Sequence, residues 1–143
     1  MWDKTVKILA AVAGGIAGLF GPWNALLTVL LAVMAVDYVS GVMVAAMGRS
    51  DKAENGGLSS KAGFFGLLKK AMILLVVLLA TLIDRASGSS TCVFQAAAAC
   101  FYIANEGISI LENAVLMGLP VPQAIRGALD ILRRKGDEED KPR

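Results

Sequence analysis

The chain has no histidine among its 143 residues. That absence removes the Ser-His-Asp triad and every histidine-ligated metal site together. Cysteine is nearly absent too. Cys92 and Cys100 stand eight positions apart, ~12 Å along a helix and beyond disulfide reach within one chain. They read as thiols buried in a span, with an intermolecular bridge as the alternative. Charged residues make up 18% of the chain, where about 25% is usual. The net charge is +2 and most cations lie outside the apolar runs, which argues against a nucleic-acid-binding surface. No nucleophile–base pair and no metal set can be recognised, so the sequence predicts no enzyme, no catalytic residue, no cofactor and no metal.

What is abundant is apolar side chain. Hydrophobic residues and glycine together reach about 65%, against about 45–50% in a soluble domain. One domain of this length has too little interior to bury that much. The expected fold is therefore an all-α integral membrane protein with four transmembrane helices (three being possible) and a short C-terminal amphipathic helix. The apolar stretches are Val6–Phe20, Asn24–Met47, Phe64–Ile83 and Thr91–Met117. The last three have the ~20 residues that a ~30 Å hydrocarbon core requires. The first is short and glycine-rich. It is read as a span because Trp2 and Trp23 lie 21 positions apart, ~31 Å of helix, enough to put one indole in each interfacial belt. Its alternatives are an interfacial segment, or a signal peptide whose Ala11-Val12-Ala13 site leaves almost no apolar core before it.

Basic residues give an orientation. The segment Gly48–Lys70 holds Arg49, Lys52, Lys61, Lys69 and Lys70, and Arg126, Arg133, Arg134, Lys135, Lys141 and Arg143 follow the fourth span. The loop 84–90 has only Arg85. The positive-inside rule then places the 48–70 segment and the C-terminus in the cytoplasm, and four spans bring Lys4 and Lys7 to that side as well. Residues 1–117 form the transmembrane domain. Residues 118–135 hold a cytoplasmic amphipathic helix, with Ile125, Leu129 and Leu132 at helical spacing, suited to the inner membrane surface. Residues 136–143 are a charged, solvated tail.

Ionisable residues inside a bilayer face a partner or water. Counted at 1.5 Å per residue from the expected outer surface, Asp37, Lys70 and Glu106 lie ~21–22 Å down three different spans. This predicts an intramembrane polar cluster of Asp37, Lys69 or Lys70, and Glu106. The alternative is that both lysines snorkel to the inner headgroups. In the last span, Asn105, Ser109, Glu112 and Asn113 recur at i, i+4, i+7 and i+8, a polar stripe able to bond another helix or to line water. Gly14-x-x-x-Gly18, with Gly41, Gly63 and Gly66, are candidate sites of close helix packing.

Three stretches, VDYVSG (Val36–Gly41), LSSKAGFFGLLKK (Leu58–Lys70) and FYIANEGISILENAVLMGLPVP (Phe101–Pro122), resemble the phage-lysis and toxin-secretion holin family of Bacillus- and Clostridium-type phages. The likeness covers about Pro22–Leu132. It marks Asp37, Tyr38, Ser40, Gly41, Ser59, Ser60, Lys61, Gly63, Gly66, Lys69 and Lys70 as motif positions. It adds Asn105, Glu106, Ser109, Glu112, Asn113, Pro120 and Pro122. The resemblance implies a homo-oligomer that accumulates in the host cytoplasmic membrane and opens a lesion for an endolysin or large toxin, which it need not contact directly. The competing readings are a holin antagonist and a small scaffold or transport subunit, neither of which permeabilises.

The topology can be tested by thiol labelling. In a background lacking Cys92 and Cys100, Ser89→Cys is expected to react with an impermeant reagent from outside and Asn55→Cys is not; the reverse pattern overturns the orientation. Outside labelling of Thr5→Cys decides for three spans.

Overall fold

The computed structural model describes residues 2–139, and among them every regular element is an α-helix. The elements are α1 (Trp2–Leu19), α2 (Ala25–Ala46), α3 (Ser60–Ala86), α4 (Val93–Leu116) and α5 (Gln123–Glu139). Three of them, α2, α3 and α4, with 22, 27 and 24 residues, are long and apolar enough to cross a membrane. The α1 helix does not join that set, because its 18 residues include Asp3, Lys4 and Lys7. The α3 helix starts four residues before the expected apolar boundary at Phe64, and the start is local chemistry. Ser59 is extended and its hydroxyl accepts the Ala62 amide at 3.3 Å, a serine N-cap. Asn24 does the same for α2, accepting from Leu27 N at 3.0 Å. At their other ends α2, α3 and α4 each run into a glycine at positive φ, namely Gly48, Gly88 and Gly118, the backbone conformation that closes a helix without a Cβ penalty.

The bundle is built around α4, which packs against α2, α3 and α5, while α2 and α3 touch each other only sparsely. Each spanning helix offers a seam with the heptad spacing of supercoiled helices. On α2 the seam is Leu27, Leu30, Met34, Asp37, Gly41 and Val44; on α3 it is Gly66, Lys70, Ile73, Val77, Ala80 and Asp84. On α4 it is Gln95, Ala99, Tyr102, Glu106, Ser109 and Asn113. The middle of these seams is apolar: Leu27, Leu30, Met34, Ile73, Val77 and Ala99 form one buried cluster with Phe20. The outer faces of α2 and α3 remain apolar and exposed, with Val36, Val39, Phe64, Leu75 and Leu79 among them. That is the surface a lipid-facing helix needs.

Charged groups borrowed from elsewhere close the ends of α4. Its N-cap, Cys92, makes no side-chain cap bond. Asp84 of α3 supplies it instead, accepting from the Phe94 and Gln95 amides at 3.0 and 2.8 Å. At the opposite end, Arg49 Nη1 donates to the Leu116 carbonyl at 3.4 Å. Both signs oppose the helix dipole: an anion at the N-terminus, a cation at the C-terminus.

Two expectations change. Cys92 is exposed in the turn before α4, and Cys100 is half-buried, because α4 begins only at Val93. The C-terminal helix continues through Glu139, so Gly136–Glu139 are helical rather than part of a tail; residues 140–143 lie outside the described residues. Loss of an N-cap typically costs ~1 kcal/mol and at most ~2. Asp84→Ala is therefore expected to lower stability by about that amount in a detergent-unfolding titration. A variant as stable as the parent removes this cap from the account.

Candidate functional site

Near the α2–α3 end of the bundle, three charged side chains from three helices meet. Lys70 Nζ lies 2.7 Å from Asp37 Oδ2 and also bonds Glu106 Oε2. Asp37 and Glu106 are buried, and Lys70 is nearly so. Each occupies a seam position of its helix, so the contact follows from the same rotation that buries Met34, Ile73 and Ala99. Lys69, one residue away and turned by ~100°, is exposed. Lys70 is thus the partner that the structure brings to the two acids.

The layer continues into α4. Asn113 Nδ2 donates to Ser40 Oγ at 2.8 Å and, more weakly, to Asp37 Oδ1 at 3.4 Å. The Ser40 hydroxyl also donates to the Asp37 carbonyl at 3.0 Å, and Ser109 faces the Asp37 carboxylate. Among the described residues no buried side-chain nitrogen or oxygen lacks a hydrogen-bond partner. Every buried polar side-chain atom in the layer is therefore satisfied from within, which is what apolar surroundings demand.

The polar stripe divides. Ser109 and Asn113 turn toward α2 and α3 with Glu106. Glu112 is exposed and Asn105 is half-buried on another side of α4. The glycines divide as well. A Cβ on Gly63 would stand 3.4 Å from the Tyr38 hydroxyl, and one on Gly66 3.8 Å from the ring, so these two let Tyr38 lie on α3. A Cβ on Gly41 would meet Asn113 Nδ2 at 3.8 Å. Nothing lies within 4 Å of where a Cβ would stand on Gly14 or Gly18.

A second polar layer, not foreseen from the sequence, closes the α3–α4 end. Gln95 is its centre. Its Nε2 donates to Thr81 Oγ1 at 2.7 Å and to the Phe20 carbonyl at 2.9 Å, and its Oε1 accepts from Asn24 Nδ2 at 2.9 Å. Arg85 Nη2 adds a bond to the Gly18 carbonyl at 3.2 Å. The available signal was the Thr81–Asp84 pair at i, i+3 on α3, with Gln95 just beyond the turn. Among the described residues no group of three or more Cys, Asp or Glu is placed to hold a metal. The site's chemistry is ion pairing and hydrogen bonding inside a membrane protein.

The chain matches the model of the bacteriophage holin family over residues 14–134. It belongs to that family. The match spans all three long helices and both polar layers. An uncharacterised Listeria innocua protein is 41% identical over 124 residues, covering 86% of this chain and 83% of its own. An uncharacterised 14.9 kDa protein of Clostridium perfringens is 38% identical over 117 residues, covering 82% and 83%. A probable holin of Bacillus phage phi105 is 31% identical over 113 residues, covering 79% of this chain and 78% of its own. No solved structure matches the chain. With the long apolar helices, membership makes this a multi-pass membrane protein of the holin type.

The three charges are not equivalent. Asp37→Asn or Glu106→Gln leaves Lys70 paired with the remaining acid, whereas Lys70→Met leaves two carboxylates with no cation. Removing one partner of a buried pair costs ~3–5 kcal/mol. Lys70→Met is expected to reach that range and to exceed either acid variant, measured by reversible unfolding in mixed micelles. Equal and additive effects in all double variants would show that the three do not interact.

Proposed function

We propose that the protein accumulates and oligomerises in the cytoplasmic membrane of a host cell and opens a lesion through which an endolysin, or a large toxin, leaves. The family match over residues 14–134 carries this reading. In it α1 is a fourth span, both chain ends are cytoplasmic, and the role is non-enzymatic. The Asp37–Lys70–Glu106 layer holds the closed bundle. The seam face of α4, with Ser109 and Asn113, becomes wetted when copies rearrange. Dry packing of that face favours the closed array and hydration favours the open one. Membrane potential biases the choice by ~2.3 kcal/mol per elementary charge moved through 100 mV, of which charges partway through the field feel a fraction.

Induction with and without an endolysin tests the reading. Growth arrest is expected in both cases and lysis only with the endolysin, and an uncoupler should advance the onset once protein has accumulated. Ser109→Leu with Asn113→Leu should insert normally but delay or lose the lesion, since an apolar face gains nothing from water. Continued growth at full accumulation points instead to an antagonist or scaffold. Lysis of the double variant on the parent schedule leaves Ser109 and Asn113 as packing alone.

A further inference from the structure

Most charged side chains of the three long helices have partners: Asp37, Lys70 and Glu106 pair with one another, and Asp84 caps α4. Lys61 and Arg85 lie one residue from the ends of α3. Two charges remain. Lys69 of α3 and Glu112 of α4 are exposed, and among the described residues neither has an ion pair or a hydrogen bond. In a lone copy each would face acyl chains, a costly place for a charge. They are of opposite sign.

Their surroundings match in register. On α3 the exposed residues Phe65, Lys69, Met72 and Val76 follow one another at intervals of 4, 3 and 4. On the outward side of α4, Phe101, Asn105, Ile108 and Glu112 repeat those intervals. This is the alternation by which helices interlock. Heights can be compared because α3 and α4 run in opposite directions, with Lys70 beside Glu106 and Thr81 beside Gln95. Eleven residues along α3 thus match eleven along α4. Carried to the strips, this register sets Phe65, Lys69, Met72 and Val76 within one residue, ~1.5 Å, of Glu112, Ile108, Asn105 and Phe101 respectively. Copies inserted the same way share these heights, so the α3 strip of one fits the α4 strip of the next. Lys69 and Glu112 then differ in height by five residues, ~7.5 Å. Side chains lean toward the N-terminus of their own helix, so on antiparallel helices these two lean toward each other across that gap. A cleft of about 170 Å³ opens beside Glu112, walled by Ile108 and Leu111 and by Arg126 and Asp130 of α5. Its two carboxylates outnumber its one guanidinium, which suits an incoming cation.

We propose that the α3 strip centred on Lys69 docks on the outward α4 strip of a second copy, with Lys69 entering the cleft beside that copy's Glu112. Apolar contact gives no preference for a neighbour over lipid; the charge pair supplies it. The two strips are different surfaces, so the contact is head-to-tail. A copy that has used one strip keeps the other for the next, and the array extends or closes into a ring. Phe64 and Leu75 lie on another side of α3 and stay against lipid. The proposal rests on the oligomerisation in the reading above and not on the lesion.

The test uses the full chain with Cys92→Ala and Cys100→Ala, in phosphatidylcholine vesicles that hold a trapped dye, with and without phosphatidylglycerol. One preparation carries Met72→Cys and another Asn105→Cys, which match in height and leave both charges in place. A short bifunctional thiol reagent is expected to link chains in the mixture and in neither preparation alone. Both substitutions in one chain should give a ladder of longer species. Lys69→Glu and Glu112→Lys should each lower the linked yield about fivefold, and the two together in every chain should restore it. Linking within either preparation as strong as in the mixture means a two-fold contact and overturns the head-to-tail one, as does the absence of any link. Equal yields from all charge variants overturn the Lys69–Glu112 pair. A yield that falls when phosphatidylglycerol is added gives Lys69 to lipid phosphate and overturns the pair as well. Ladders without dye release sustain the interface and overturn the lesion. Dye release without any link overturns the interface and leaves the lesion-forming reading intact.

Discussion

A lysine with two carboxylates inside three apolar helices is a constraint from which the rest of the bundle follows. Hydrocarbon cannot solvate Asp37, Lys70 or Glu106, so each must find the others. Their meeting fixes the rotation and the axial register of α2, α3 and α4 together. Once the rotation is set, residues one and two heptads away must fill the same seams, which is why Leu30, Met34, Ile73, Val77 and Ala99 are the buried set. The imbalance of two acids to one base also explains the neutral donors around the layer. Asn113 gives its amide hydrogens to Ser40 and Asp37, leaving Lys70 able to serve Glu106 as well.

Apolar contact alone would not specify this arrangement in a membrane, because lipid tails are as apolar as leucine. Specificity has to come from polar layers and from close approach at small residues. The bundle has a polar layer at each end of an apolar middle, with Tyr38 lying over Gly63 and Gly66 between α2 and α3. At its termini α4 is held by Asp84 and Arg49, and in between by Lys70. Separating α2, α3 and α4 therefore uncovers charges at several depths at once. Moving α1 or α5 does not. The α1 helix buries none of its residues and is tied near its C-terminal end by Arg85 on Gly18. The part of the molecule that can move at least cost is its periphery, with the three long helices travelling as a unit.

Much of this was legible in the sequence because depth is linear along a helix. Counting 1.5 Å per residue from three different turns brought Asp37, Lys70 and Glu106 to one level, and no packing information was needed. Rotation was harder to read. A count in depth does not separate Lys69 from Lys70, since neighbours differ by ~1.5 Å in height but by ~100° in direction. The same error divided the stripe of α4: Asn105 and Glu112 lie one position before Glu106 and Asn113, and that offset turns them from the seam to the outside. The heptad of Gln95, Ala99, Tyr102, Glu106, Ser109 and Asn113 was hidden by its own composition, since it mixes amide, methyl, phenol, acid and hydroxyl and shows no hydropathy period. The Gln95 layer escaped because it joins residues from four segments that only the folded chain brings together. Gly14 and Gly18 illustrate the opposite failure: a spacing that permits close contact does not supply a partner.

The division of the stripe makes the bundle asymmetric in a way that bears on assembly. The outward faces of α2 and α3 are apolar, with Val36, Val39, Leu75 and Leu79 exposed on them. The outward face of α4 carries Asn105 and Glu112 and is met by a charged helix. A bundle with one lipid-compatible side and one polar side has a preferred direction within the bilayer. In the assembly proposed above, copies would lower their free energy by keeping the apolar faces of α2 and α3 against acyl chains and turning α4 away from them. That rotation would leave the Asp37–Lys70–Glu106 ion pairs of each copy unbroken. The charges that make a lone helix costly in lipid are the ones that keep the bundle intact.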